Sequence, residues 1–236
     1  MFLNKFNMAK ITSEQAISNV IFSSLGDIRS IKTLEQSIIR RTCSENQSSS
    51  PTHDEEDEDD FDNDPRYKQM MEAMLKADKK KLEALKIQGS HPDALQPIVL
   101  LMGNTSLIQE NVLESIKKQI ADDEHYGFDL EFREIDSSEL NEEFVLSLPK
   151  PKGADGGLLV ISDFSKFVDS YSPNDQIKLL CTIMRNHGST PDGFGLVCTG
   201  WRIIFLENSE DENKWWPDSC VQYFGNKNCL YSYFVE

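Results

Sequence analysis

The chain has 236 residues, 39% hydrophobic and 27% charged, and its 40 acidic residues outnumber 24 basic ones for a net charge of −16. A chain of this length holds one good core with accessory segments, one to two domains in all. Its charge repels polyanions, which argues against direct nucleic-acid binding and for solubility or a basic protein partner.

The apolar start Met1-Phe2-Leu3 is broken by Asn4 and Lys5, so no signal-peptide core forms. Thr12 and Gln15 have capping-box spacing, and Ala16, Ile17, Val20, Ile21 and Leu25 follow at helical intervals. Gly26-Asp27 interrupts the pattern, which Ile31, Leu34, Ile38 and Ile39 resume up to Arg40-Arg41. Residues 1–43 are therefore read as a helical segment, either a hairpin or one helix with a break. Its apolar face from Ala16 to Ile39 is expected to bind a partner or self-associate.

Residues 44–64, SENQSSSPTHDEEDEDDFDND, hold too little apolar surface to offset the entropy of ordering and read as a disordered acidic linker. Asp60, Asp62 and Asp64 have the early spacing of a calcium loop. Pro65 stands where that loop needs glycine and Met71 where it needs a bidentate glutamate, so no metal is expected there. Asp64-Pro65 starts a helix well. Over residues 65–88, Tyr67, Met70, Met71, Met74, Leu75, Leu82 and Leu85 mark an apolar stripe among lysines, closed off by Gly89 and Pro92. Packing on the protein's own domain is the plain explanation of that stripe. An adaptable partner-binding surface at Met70, Met71 and Met74 is its functional rival.

Residues 89–236 change character. Short, near-continuous apolar runs at Ile98–Met102, Asp129–Ile135, Leu158–Ile161, Gly195–Thr199 (followed by a candidate at Ile203–Leu206) and Cys229–Val235 read as strands of a parallel sheet covered on both faces. Ile108–Ile120, Ser138–Leu148 and Asn174–Met184 read as intervening helices. The expected fold is a three-layer α/β domain. Gly103, Asn104, Thr105 and Ser106, between a strand and a helix, lie where a phosphate-binding loop would sit.

The order PIVLLMGNTSLIQENVLESIKKQI, GGLLVISDFSKF, DQIKLLCTIMRNHGSTPDGFGLVCTGWR and PDSCVQYFGNKNCLYSYFV resembles AAA+ ATPases, most of all the MoxR-like group. The resemblance covers the chain from Gln96 onward and rests on segment order more than on identity. It implies a P-loop NTPase-like sheet in which the strand at Leu158 is separated from that at Ile98 by another strand.

Measured against that family, the residues that would grip ATP are missing. The second glycine, lysine and hydroxyl of a Walker A loop correspond to Ile108, Gln109 and Glu110, and Glu110 sets a carboxylate beside the expected polyphosphate. Ser162 and Asp163 stand where a Walker B strand ends in Asp-Glu. The strand assigned to sensor 1 runs into Gly200 and Trp201 where a polar residue, usually asparagine, is the rule. Gln222 stands where an arginine often follows the final short helix. Glu236 directly follows the last predicted strand, so no helical lid is expected. The resemblance thus implies a degenerate nucleotide site at Gly103, Asn104, Thr105, Ser106, Gln109, Glu110, Ser162, Asp163 and Trp201, no catalytic residue and no cofactor. Weak binding of ATP and magnesium through Asp163 and the Gly103–Ser106 loop is the alternative.

Other chemistries find less support. No G-x-S-x-G elbow occurs, and Ser162, Asp163 and His187 read as a strand-end cap and a turn histidine rather than a triad. The histidines His53, His91, His125 and His187 have no metal-ligand spacing, so no zinc is expected. Cys43, Cys181, Cys198, Cys220 and Cys229 form no C-x-x-C pair and read as reduced thiols of an intracellular, cytoplasmic protein. Asp163 and Arg202 are read as the remnants of chemistry at the strand ends. Trp215 and Trp216 are candidate interface anchors, with capping of the sheet end as the equal alternative. The expected role is non-catalytic docking on a protein partner, an active ATPase or another assembly subunit, away from membranes.

Overall fold

The computed structural model describes residues 9–47, 65–90, 95–104, 106–125, 127–186, 200–209 and 216–236. The chain divides into two compact units, one of residues 1–26 with 90–236 and the other of residues 27–89.

The first unit is built on a six-stranded, wholly parallel sheet. Its strands are β1 (Ala9–Ile11), β2 (Ile98–Gly103), β3 (Glu131–Asp136), β4 (Gly157–Ser162), β5 (Trp201–Asn208) and β6 (Leu230–Val235), in the spatial order β1-β6-β2-β5-β4-β3. β5 separates the strand at Leu158 from that at Ile98, as a P-loop NTPase-like sheet requires. Parallel neighbours need crossovers, and both faces are covered in consequence. Because successive side chains alternate, Ile98, Leu100, Met102, Leu159, Ile161, Ile203 and Phe205 share one face and one core cluster. Over them lie α4 (Glu142–Ser147), α5 (Phe164–Ser170), α6 (Pro173–Arg185) and α7 (Asp218–Gly225), contributing Val145, Phe164, Phe167, Leu180, Met184 and Phe224.

The opposite face presents Val99, Leu101, Val160 and Ile204, all buried. Its cover includes a π-helical segment, Leu107–Leu113, that passes into α3 (Glu114–Ala121), whose buried residues are Ile116 and Ile120. Lys117 of α3 pairs with Glu134 of β3. Burial lowers the proton affinity of Lys117, but hydrogen bonds and charges from Glu114 and Glu134 more than offset this, leaving its pKa raised.

The N-terminal segment departs from expectation. α1 runs unbroken from Ser13 to Gln47, so Gly26 does not end it. Ala16, Val20 and Leu25 have no exposure and Ile21 only 5%. Ser24 O accepts from Arg202 Nε at 2.5 Å, and the hydroxyls of Ser23 and Tyr233 lie 2.9 Å apart. β1, which the sequence reading placed in no strand, extends the sheet by pairing with β6. The apolar face expected to wait for a partner is thus occupied within the protein itself as far as Leu25. The reason is that β6 would otherwise be an open, apolar edge.

In the second unit, the remainder of α1 and α2 (Pro65–Ser90) are joined through Asp78, whose Oδ2 accepts from Ser37 Oγ at 3.0 Å and Arg41 Nη1 at 2.6 Å. The acidic linker beyond Gln47 and the calcium-loop aspartates lie outside the described residues, as does the predicted strand Gly195–Thr199.

Candidate functional site

Ligand sites of open α/β sheets lie at the carboxyl ends of the strands. Here that edge brings together Gly103 of β2, Asp136 of β3, Ser162 of β4 with Asp163 just beyond it, and Glu207 and Asn208 of β5. Register pairs Gly103 with Asn208 and Asp136 with Ser162.

Gly103 has φ +144°, and a Cβ there would meet the Val235 carbonyl oxygen at 2.6 Å. The glycine that resembles the start of a phosphate loop is therefore demanded by the neighbouring strand alone. Ser106 is already helical, at φ −61° and ψ −42°. Asn104 Oδ1 accepts from the Ser106 amide at 3.1 Å and the Ser106 hydroxyl at 2.9 Å, and Asn104 O accepts from the Ile108 amide at 3.0 Å. The amides of Ser106 and Ile108, which would face a phosphate in a cradle, are satisfied internally. Ile108 is buried at 1% exposure, and Glu110 is exposed in the first turn. These residues do not fit a magnesium-bound polyphosphate. Thr105 lies outside the described residues.

The acidic end of the site is organised by local bonds. Asp136 accepts from the Ser138 hydroxyl and amide, and from Lys166 Nζ at 3.3 Å. The two Ser138 bonds, then Lys166, hold its carboxyl far below the usual range. Asp163, whose φ and ψ are both 58°, sits in left-handed backbone at the start of α5. Desolvation first, then its hydrogen bond to Asp136 and that carboxylate's charge, push the Asp163 carboxyl up. Glu207, only 5% exposed, accepts from the Ser165 amide at 2.8 Å and the Ser165 hydroxyl at 2.7 Å, so this carboxylate caps α5. Paired carboxyls of divergent proton affinity can share a proton. Among the described residues, no group of three His, Cys, Asp or Glu is placed to hold a metal ion.

The two carboxyls have opposite linkage. The contribution of Asp136 to stability is present above its unfolded pKa and lost as pH falls through the folded one; that of Asp163 is present below its unfolded pKa and lost as pH rises through the folded one. Asp163→Asn keeps a side chain tolerant of left-handed backbone and removes the repulsion. At this exposed position water screens most of the gain, leaving about 0.5 kcal/mol. The expected result at pH 7 is a thermal midpoint higher by about 1 °C, with the difference vanishing in acid. A lower midpoint in a calorimetric scan contradicts this account.

Several sequence-based assignments need correction. Trp201 and Arg202 lie at the amino end of β5, remote from Gly103: Trp201 pairs with Gly157, and its Nε1 donates to Pro149 O at 2.9 Å. Its ring fills the space a Cβ at Gly157 would need, 2.5 Å from Trp201 Cζ3. Arg202 has no exposure and bonds the Ser24 and Asp155 carbonyls. The strand that ends beside Gly103 is β5, and its last residue is Asn208. The polar pair Glu207-Asn208 after Ile203–Leu206 was the overlooked signal. Trp216 is 3% exposed and packs edge-on to Phe164 and Phe205, so its indole caps the core and is no exposed anchor. Trp215 lies outside the described residues. Met70 and Met74 are exposed, whereas Met71 is half-buried. Gln222 is exposed on α7.

No family model matches the chain, and no curated protein matches it by sequence. Among solved structures, a chain from a structure of Drosophila ORC bound to DNA is similar at 10% identity and a TM-score of 0.31. The match covers 71% of this chain and 44% of that chain. Within the described residues, no helix is long and apolar enough to cross a membrane.

Proposed function

We propose that this chain is a non-catalytic relative of the AAA+ ATPases, a degenerate MoxR-like core that serves as an interaction or regulatory subunit on a protein partner. The observation that carries the reading is the junction after β2. The helix begins where a phosphate loop should run, Asn104 satisfies its amides, and Glu110 brings a negative charge to a helix start. A carboxylate in the first turn of a helix opposes a second anion there, and amides already bonded have little left for a phosphate.

The second reading, weak nucleotide binding, is favoured by Asn208 at the end of β5, beside Gly103, where the resemblance expects a polar sensor residue. Calorimetric titration with Mg·ATP separates the two. The non-catalytic reading expects no saturable heat and no phosphate release. Micromolar binding that Asp163→Ala or Asn208→Ala abolishes would establish the second reading instead.

A further inference from the structure

On α2, Met70, Ala73, Met74, Ala77 and Lys81 stand at positions i, i+3, i+4, i+7 and i+11, and all are exposed, Met70 at 50% and Met74 at 43%. This spacing draws one stripe along the helix. It is not the side that meets α1, which is marked by buried Leu75 and by Asp78 with its bonds to Ser37 and Arg41. Helix propensity does not require methionine on a solvated face. Two methionines with Ala73 between them and Ala77 beyond make a shallow, adaptable apolar strip that lets another helix approach closely. Lys76 and Lys80 border its C-terminal half and Lys81 ends it, in a chain whose net charge is −16.

We infer that this stripe is a docking surface for an amphipathic helix of a partner protein whose apolar ridge is flanked by acidic residues. The methionines supply the apolar contact, and the lysines select the partner by charge. A nucleic acid fits less well, because the centre of the stripe is apolar and offers a phosphate backbone no contact; the lysines act locally, against the negative charge of the chain as a whole. Pairing of two copies through this face would bring lysine-bordered surfaces together. The inference rests on the reading of the chain as an interaction subunit, but its test leaves the strand-end site untouched, so the two fail separately.

The test uses the full chain and two fluorescent helical peptides that share a leucine stripe, one flanked by glutamates and the other by lysines. Anisotropy is expected to show binding of the glutamate peptide only. The Met70→Glu, Met74→Glu double variant should weaken it by at least about tenfold, the effect of losing one buried methionine side chain. Lys80→Glu with Lys81→Glu should reverse the preference toward the lysine peptide, a reversal that mere loss of structure does not produce. Equal binding of both peptides, no binding, or indifference to the methionine substitutions overturns the inference. So does a doubled mass by light scattering that Met70→Glu abolishes, which assigns the face to a second copy. Duplex DNA bound through Lys80 and Lys81 in place of the peptide also overturns it. A gain in peptide affinity of more than about tenfold on deleting residues 54–62 assigns the face to the chain's own acidic segment and overturns it as well.

Discussion

A chain that begins at Asp27 is expected to lose the cooperative unfolding of its α/β unit. The segment it lacks carries Ala16, Val20, Ile21 and Leu25, none more than 5% exposed, together with the strand that pairs with β6. Burial of each aliphatic side chain larger than alanine contributes about 1.5–3 kcal/mol. The total is comparable to the roughly 5–15 kcal/mol that separates folded from unfolded domains of ordinary stability. Truncation also leaves the guanidinium of Arg202 buried without the Ser24 carbonyl it donates to. Urea titration followed by the fluorescence of buried Trp201 and Trp216 measures this directly. A midpoint unchanged from the full chain would return residues 1–26 to the role of a dispensable, partner-seeking arm.

Phe205→Ala should be the most damaging single substitution in the core, at about 3–5 kcal/mol. The side chain has no exposure, and its ring centroid lies 5.3, 5.1 and 5.5 Å from those of Phe164, Phe167 and Trp216. It sits on a central strand, between β2 and β4, where neither sheet neighbour can move into the void. Phe22→Ala is the control, because that ring is 69% exposed and a surface truncation costs within about 0.5 kcal/mol. If the two variants unfold at the same denaturant concentration, the aromatic cluster is not the centre of the core.

The strands were legible where burial on both faces makes the sequence continuously apolar. Ile98–Met102 and Leu158–Ile161 match β2 and β4 to within a residue at each end. β5 was harder. Two apolar runs lie near each other, Gly195–Thr199 and Ile203–Leu206, and composition could not say which one reached the ligand edge. Choosing the first put Trp201 and Arg202 at the site, when the pairing of Gly103 with Asn208 puts them at the far end. Register depends on partners distant in sequence, so the pairing that sets Asn208 beside Gly103 is not written in either strand alone. Trp216 was ambiguous for a related reason: its neighbours Phe164 and Phe205 come from elements well before it in the chain.

By itself the sequence determined the α/β class, the helical character of α2, and the absence of the lysine and hydroxyl that a phosphate loop needs. Each of these is local, set by periodicity or by the identity of single residues. The tertiary structure alone decided that the run Ile203–Leu206 lies in the strand dividing β2 from β4, that the N-terminal segment completes the sheet, and that Asp136, Asp163, Glu207 and Asn208 share one edge. Those outcomes rest on contacts between segments far apart in the chain, whose favourable pairing appears only once the intervening loops have closed.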